Sequence, residues 1–218
     1  MYFSYGEREI NYLKSKDKRL AAVIDEIGLI QRKVDPDLFS SVIHHIIGQQ
    51  ISMKAQQTIW NRMNDLLGHI SPKTISDVAF DQLQALGMTY RKAEYIKDFS
   101  TKILNRTFDL EAVKKMSDKD AIFALSQLKG IGVWTAEMIL LFCLQRLDVF
   151  SYDDLAIHRG LRMVYHHRQV NRSLFERYRR RFSPYGSVVS LYLWAVSGGA
   201  ISNMKDFAPQ KSRQTKGK

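Results

Sequence analysis

Cysteine is almost missing from this chain: Cys143 is the only one in 218 residues. A single thiol cannot close an intramolecular disulfide, complete a cysteine-based zinc site or hold a four-cysteine iron–sulfur cluster. Set in an apolar helical run, it reads as a core residue. Long apolar stretches are absent too, since no window approaches the roughly 18 consecutive apolar residues of a membrane span. The start, Met1-Tyr2-Phe3-Ser4-Tyr5-Gly6-Glu7, has neither the basic flank nor the apolar core of a signal peptide. The expectation is a soluble, intracellular protein without a membrane partner.

Strand signals are missing as well. Apolar and polar residues do not alternate, and no Asn-Gly or Asp-Gly hairpin pair occurs. Proline is scarce, and three of the four follow Asp35, Ser71 and Ser183, the pattern of a helix cap with proline at the first helical position. What is present is helical periodicity: Leu38, Phe39, Val42, Ile43, Ile46 and Ile47 form one stripe, and Ile59, Met63, Leu66 and Leu67 the next. The spacing predicts an all-α protein with helices near 17–28, 36–47, 52–67, 72–76, 79–85, 90–105, 118–127, 133–146, 155–165, 172–182 and 186–197. Residues 1–204 read as one all-helical domain, two lobes flanking a cleft, and 205–218 as a basic, flexible tail.

Negative charge is in deficit. Thirty-three Lys and Arg against twenty-two Asp and Glu give a net charge of +11 and a pI near 9.7. That balance favours a polyanionic partner. The bias is uneven: residues 155–182 hold eight arginines and one carboxylate, Glu176, with His158, His166 and His167 in the same stretch. A solvated helix face accounts for part of it; a phosphate-tracking surface accounts for the one-sidedness.

Chemistry concentrates in Leu128-Lys129-Gly130-Ile131-Gly132-Val133-Trp134-Thr135-Ala136, followed twenty positions after the tryptophan by Asp154. Two glycines one residue apart make a tight turn between helices. The second helix then starts with unpaired backbone N–H groups, where an anion can sit. Alone, the Gly-x-Gly turn is weak, and an isolated Asp-Asp pair is usually a helix cap.

Together these residues resemble the helix-hairpin-helix DNA glycosylase superfamily, and within it the DNA-3-methyladenine glycosylase II (alkylbase) type. The resemblance spans roughly residues 36–197. It implies a two-lobed helical fold without the extra N-terminal α/β domain of larger relatives, for which about 35 residues leave no room. It implies that Gly130 and Gly132 hold a DNA phosphate through their amides, and that the carbonyls of Ser126, Leu128 and Ile131 hold one structural cation, with no cofactor required. Val149-Phe150-Ser151-Tyr152-Asp153-Asp154-Leu155-Ala156-Ile157-His158-Arg159 resembles the family segment in which the second aspartate is catalytic, which assigns that role to Asp154. A dry, fixed carboxylate would stabilise the oxocarbenium-like sugar formed when an N-glycosidic bond breaks. Asp153 would be its structural partner, capping the helix that begins near Leu155.

Trp134 stands where the bifunctional branches carry the lysine that forms a Schiff base with the sugar, so excision without lyase chemistry is expected. Its indole could stack on a purine made cationic by alkylation. Trp194, Met138 and Tyr152 complete the expected base pocket. Met138 replaces a pocket tyrosine of some relatives, and Tyr185 a more usual tryptophan. Ile46-Ile47-Gly48-Gln49-Gln50-Ile51-Ser52 resembles the family's wedge loop, with Gln50 at the tip that fills the gap left by an extruded nucleotide. Ser52, Thr135, His158 and Arg159 are expected on the DNA side.

The expected activity is therefore hydrolysis of the N-glycosidic bond of flipped-out alkylated purines in base excision repair. The protein would act as a monomer on damaged double-stranded DNA, in the cytoplasm at the nucleoid or in a eukaryotic nucleus. Two other readings stay open: a glycosylase for deaminated or oxidised bases, and a non-catalytic helix-hairpin-helix DNA-binding protein.

Overall fold

A computed structural model describes residues 1–209. Among them thirteen α-helices follow one another: α1 (Glu7–Lys16), α2 (Lys18–Ile27), α3 (Leu38–Gly48), α4 (Met53–Leu67), α5 (Pro72–Asp77), α6 (Phe80–Ala85), α7 (Tyr90–Leu104), α8 (Leu110–Lys115), α9 (Asp118–Ser126), α10 (Val133–Phe142), α11 (Leu155–Tyr165), α12 (Arg172–Phe182) and α13 (Gly186–Ser197). Extended pairing among the described residues is limited to one isolated bridge between Tyr2 and Lys33, so the fold is all-α as expected. No helix among them is long and apolar enough to cross a membrane.

Eleven of these helices were legible from periodicity. The two that were not, α1 and α8, each bury a single apolar residue, Leu13 and Val113. Their ends are set by polar groups instead. The Gly6 amide donates to Glu9 Oε2 at 2.8 Å, and Asp109 Oδ1 accepts from the Glu111 and Ala112 amides at 2.8 and 3.1 Å. Two expected caps also shift. Asp37 rather than Asp35 caps α3, accepting from the Ser40 amide at 2.9 Å. Ser183-Pro184 is a cis peptide lying before the first residue of α13, which begins at Gly186. α10 stops at Phe142, short of the expected 146.

The chain divides into two compact units. The first takes Met1–Phe3 and Lys33–Arg146. Its core is the stripe of α3, where Val42, Ile43, Ile46 and Ile47 are fully buried, packed on α7 and on α10. α10 is buried nearly all round through Thr135, Ala136 and Met138–Leu141, which explains why its sequence lacks a polar face. The second unit takes Ser4–Arg32 and the chain from Leu147 onward, so α1 and α2 pack with α11, α12 and α13. Here α11 lies against α13 at Gly160, where an added Cβ would fall 2.5 Å from the Leu193 carbonyl oxygen. That backbone approach is possible only for glycine, and it seats the first turn of α11 near the last turns of α13.

Of the expected tail, residues 210–218 lie outside the described residues. The stretch from 205 to 209 carries contacts of its own: Arg162 grips Asp206 with two hydrogen bonds of 2.7 and 2.6 Å, and the Phe207 ring lies on His166.

Candidate active site

In the second unit, Asp154 is the N-cap of α11. Its Oδ1 accepts from the Ile157 amide at 2.9 Å and from the Trp194 indole N–H at 3.1 Å, and the residue is only 6% exposed. The expected division of labour between the two aspartates is therefore corrected. Asp153 is exposed, and Asp154 itself makes the capping bond. The physical reason is reach, because a cap side chain accepts from an amide two or three residues on, and Asp154 is the residue immediately before the helix. Trp194, expected only as a pocket aromatic, is half-buried and directs its ring N–H at the carboxylate.

The segment leading into Asp154 is braced from behind. His158 Nε2 lies 2.7 Å from the Tyr152 carbonyl oxygen, and the His158 ring stacks on Phe175. Tyr152 meets both rings edge-on, and the Arg172 guanidinium covers its other surface at 4.4 Å. Tyr152 and His158, expected in the base pocket and on DNA, are thus placed in the packing that holds the loop. Arg159 is exposed, 3.8 Å from Asp206.

In the first unit, the turn between α9 and α10 is pinned by Leu128 and Ile131, each 4% exposed. Gly130 has φ +80°, and a Cβ there would sit 2.3 Å from the Tyr95 ring, so both conformation and space demand glycine. Gly132 is the N-cap of α10 and offers no side-chain cap. The positive end of the helix dipole is therefore presented at residues whose side chains face outward, Val133 and Trp134, which are 49% and 41% exposed. The next residue, Thr135, and Met138 one turn on are buried at 6% and 4%, inside the packing rather than on the exposed face that carries the indole. The Leu128 carbonyl already accepts from the Ile131 amide at 3.1 Å, and Ser126 closes α9.

Gln50 is exposed with φ +57°, an uncommon conformation for a residue with a side chain. Ser52 is exposed and caps α4 by accepting from the Ala55 amide at 3.2 Å. Two residues that periodicity could not single out hold this region: Lys92 and Tyr95, three apart on α7 and hence on one face.

The arginine-rich stretch divides into two sets. Arg162 and Arg159 face Asp206, Arg172 and Arg179 face Glu176, Arg179 also donates to the Phe150 carbonyl at 2.7 Å, and Arg181 pairs with Asp17 at 2.6 Å. Arg168, Arg177 and Arg180 are exposed and make no ion pair among the described residues. Five of the eight arginines are thus engaged in ion pairs within the chain, and three are left on the surface for an anionic partner.

Two helices joined by a Gly-x-Gly turn, with an uncapped helix start behind it, are the helix-hairpin-helix arrangement; a buried carboxylate that caps α11 stands beside it in the sequence pattern. The family model described as "HhH-GPD superfamily base excision DNA repair protein" matches residues 43–184, and the chain belongs to that superfamily. A curated relative, DNA-3-methyladenine glycosylase 1 of Schizosaccharomyces pombe, is 26% identical over 197 residues, covering 88% of this chain and 86% of its own. The crystal structure of a DNA-3-methyladenine glycosidase from Bacillus halodurans superposes with TM-score 0.83 at 30% identity, over 95% of this chain and 97% of that one. The 3-methyladenine DNA glycosylase of Schizosaccharomyces pombe in complex with abasic DNA shares the fold at TM-score 0.79 and 24% identity, over 92% of this chain and all (100%) of that one.

Proposed function

We propose that the protein is a monofunctional DNA glycosylase that hydrolyses the N-glycosidic bond of alkylated purines such as 3-methyladenine and 7-methylguanine, leaving an abasic site for base excision repair. The observation that carries this is Asp154, a buried carboxylate with one oxygen held by two N–H donors, in a chain whose relatives are named for that activity.

Alkylation at N3 or N7 makes the base cationic, so it leaves with the bonding electron pair as a neutral molecule. The sugar is left short of electrons, and Asp154 stabilises that positive centre. Water then adds its oxygen to C1′ and loses a proton, for which the same carboxylate is the acceptor. Trp134 offers an indole face on which an electron-poor purine can stack, a contact of roughly 0.5–2 kcal/mol. With no amine at that position, no Schiff base forms there. The Gly130 and Gly132 amides and the start of α10 hold a phosphate, and Gln50 fills the gap left by the flipped nucleotide. The carbonyls of Ser126, Leu128 and Ile131 are hard oxygen donors that suit one monovalent or divalent cation, whose charge would add to the phosphate attraction. The partner is damaged double-stranded DNA, bound by a monomer at the chromosome.

The test is release of free 3-methyladenine and 7-methylguanine from alkylated duplex DNA, separated by chromatography, with Asp154→Asn as control. Release by the variant at the wild-type rate overturns the assignment of Asp154, and release of only deaminated or oxidised bases overturns the substrate. Borohydride should trap no protein–DNA adduct; a covalent adduct overturns the monofunctional reading.

A further inference from the structure

The loop bearing Gln50 and the hairpin turn at Gly130 are tied to each other and to α7. The Gln49 side-chain amide donates to the Gly130 carbonyl at 2.6 Å, across 81 positions of sequence. The Lys92 ammonium donates to the Ile47 carbonyl at 2.8 Å and to the Gln49 carbonyl at 2.6 Å. Lys92 is 9% exposed, and burial pulls its ammonium below the usual lysine range, yet it stands against carbonyls and not against a carboxylate. Those carbonyls end α3, where the helix dipole is negative and the last oxygens lack helical partners. One of them belongs to the peptide immediately before Gln50, the residue in the left-handed region at φ +57°. One turn further along α7, the Tyr95 ring lies against Gly130. A single helix face thus sets the position of both loops.

We infer that Gln49 and Lys92 are positioning residues for nucleotide extrusion, locking the Gln50 tip at a fixed distance from the phosphate-holding turn. The inference rests on the reading of Gln50 as the wedge. Extrusion sacrifices base stacking and pairing, so the group that fills the gap must resist being pushed back. A tip on a yielding loop would give way; one fastened to the turn that grips the backbone transmits the resistance to the DNA. Lys92 fixes the peptide from which the tip springs, and Gln49 supplies the tie to the turn.

The experiment compares wild type with Gln49→Ala, Lys92→Met and Lys92→Arg in two assays. In the first, a duplex carries a stable abasic analogue beside 2-aminopurine, and fluorescence is read at saturating protein. Gln49→Ala and Lys92→Met should bind within about threefold of wild type yet give less than about half the fluorescence rise, and Lys92→Arg should restore most of it, since a cationic donor remains. In the second, single-turnover release of 7-methylguanine is measured from a paired site and from a site opposite a one-nucleotide gap. The two disruptive variants should lose roughly tenfold on the paired site and little opposite the gap, where pairing no longer resists extrusion.

Equal losses on both substrates, or a wild-type fluorescence rise in Gln49→Ala, overturn the inference. Gln49 is half-buried in a loop, so its variant keeps the test decisive if Lys92→Met does not fold. A wild type that gives the fluorescence rise but releases no alkylpurine overturns the substrate reading and leaves the brace to be judged by fluorescence alone.

Discussion

Asp154 caps α11 and, in the proposed reaction, also supplies the charge that stabilises the sugar cation; one pair of substitutions separates the two. Asparagine keeps a side-chain oxygen where Oδ1 now accepts from the Ile157 amide at 2.9 Å and the Trp194 indole at 3.1 Å. Asparagine is also as good a cap as aspartate. Asp154→Asn should therefore leave the fold intact and remove only the charge. A carboxylate about 4 Å from a unit positive charge, at an effective dielectric near 20, is worth about 4 kcal/mol, or about a thousandfold in rate. Asp154→Ala removes the acceptor too. The lost cap to the Ile157 amide costs about 1 kcal/mol and the Trp194 donor left without its acceptor roughly another 1 kcal/mol. For a chain of this size that is a fall in Tm of about 6 °C, against about 2 °C or less for asparagine. Single-turnover base release and thermal melting followed by circular dichroism measure the two effects. An asparagine variant retaining more than a tenth of the rate would refute the electrostatic argument. An alanine variant as stable as the asparagine one would refute the capping argument.

Trp194→Phe deletes the indole donor while keeping an aromatic ring, and should lower kcat about tenfold with KM within about threefold; an unchanged kcat would show that the bond does not orient the carboxylate. Gly130→Ala combines a left-handed penalty of about 1–2 kcal/mol with overlap against the Tyr95 ring. Its affinity for abasic DNA, read by fluorescence anisotropy, should drop at least about tenfold, and Tyr95→Ala in the same chain should recover only the steric share. Arg177→Gln should reduce the slope of log affinity against log salt by about 0.9 without moving Tm. Arg179→Gln should lower Tm, through loss of its bonds to Phe150 and Glu176, and leave the slope alone. Desolvation brings His45 down to about 4 from 6.5. Between those values the unfolded chain binds a proton that the folded chain does not, so stability falls as pH drops from about 6.5 toward 4. The loss is on the order of 2–3 kcal/mol, and His45→Gln should flatten that part of a pH–Tm profile.

The hairpin and the aspartate could be marked by their resemblance to a family motif because both depend on short-range geometry. Two glycines around one apolar residue, and a carboxylate three positions before a helical amide, act within a few residues of themselves. The arginine-rich stretch was only partly legible, for the opposite reason. Its charge is visible in sequence, but three of its arginines are paired by Asp17 and Asp206, carboxylates 164 positions from Arg181 and 44 from Arg162. His158 and Tyr152 carried the same ambiguity, for an aromatic beside a candidate site can face the ligand or hold the loop.

What the sequence determined by itself is the all-helical character, most helix limits and the turn at Gly130; Asp154 was singled out by the family resemblance. These follow from periodicity, caps and a local motif, each set by residues within one or two turns of one another. Only the tertiary structure decided that Asp154 is its own helix cap and is bonded by Trp194, 40 positions away. Only it showed that Lys92 and Gln49 fasten the Gln50 loop to the hairpin turn. Those partners meet because helices far apart in the chain bury their apolar faces together. The packing of Gly160 on Leu193, or of α7 beneath two loops, leaves no periodic mark on the residues it brings into contact.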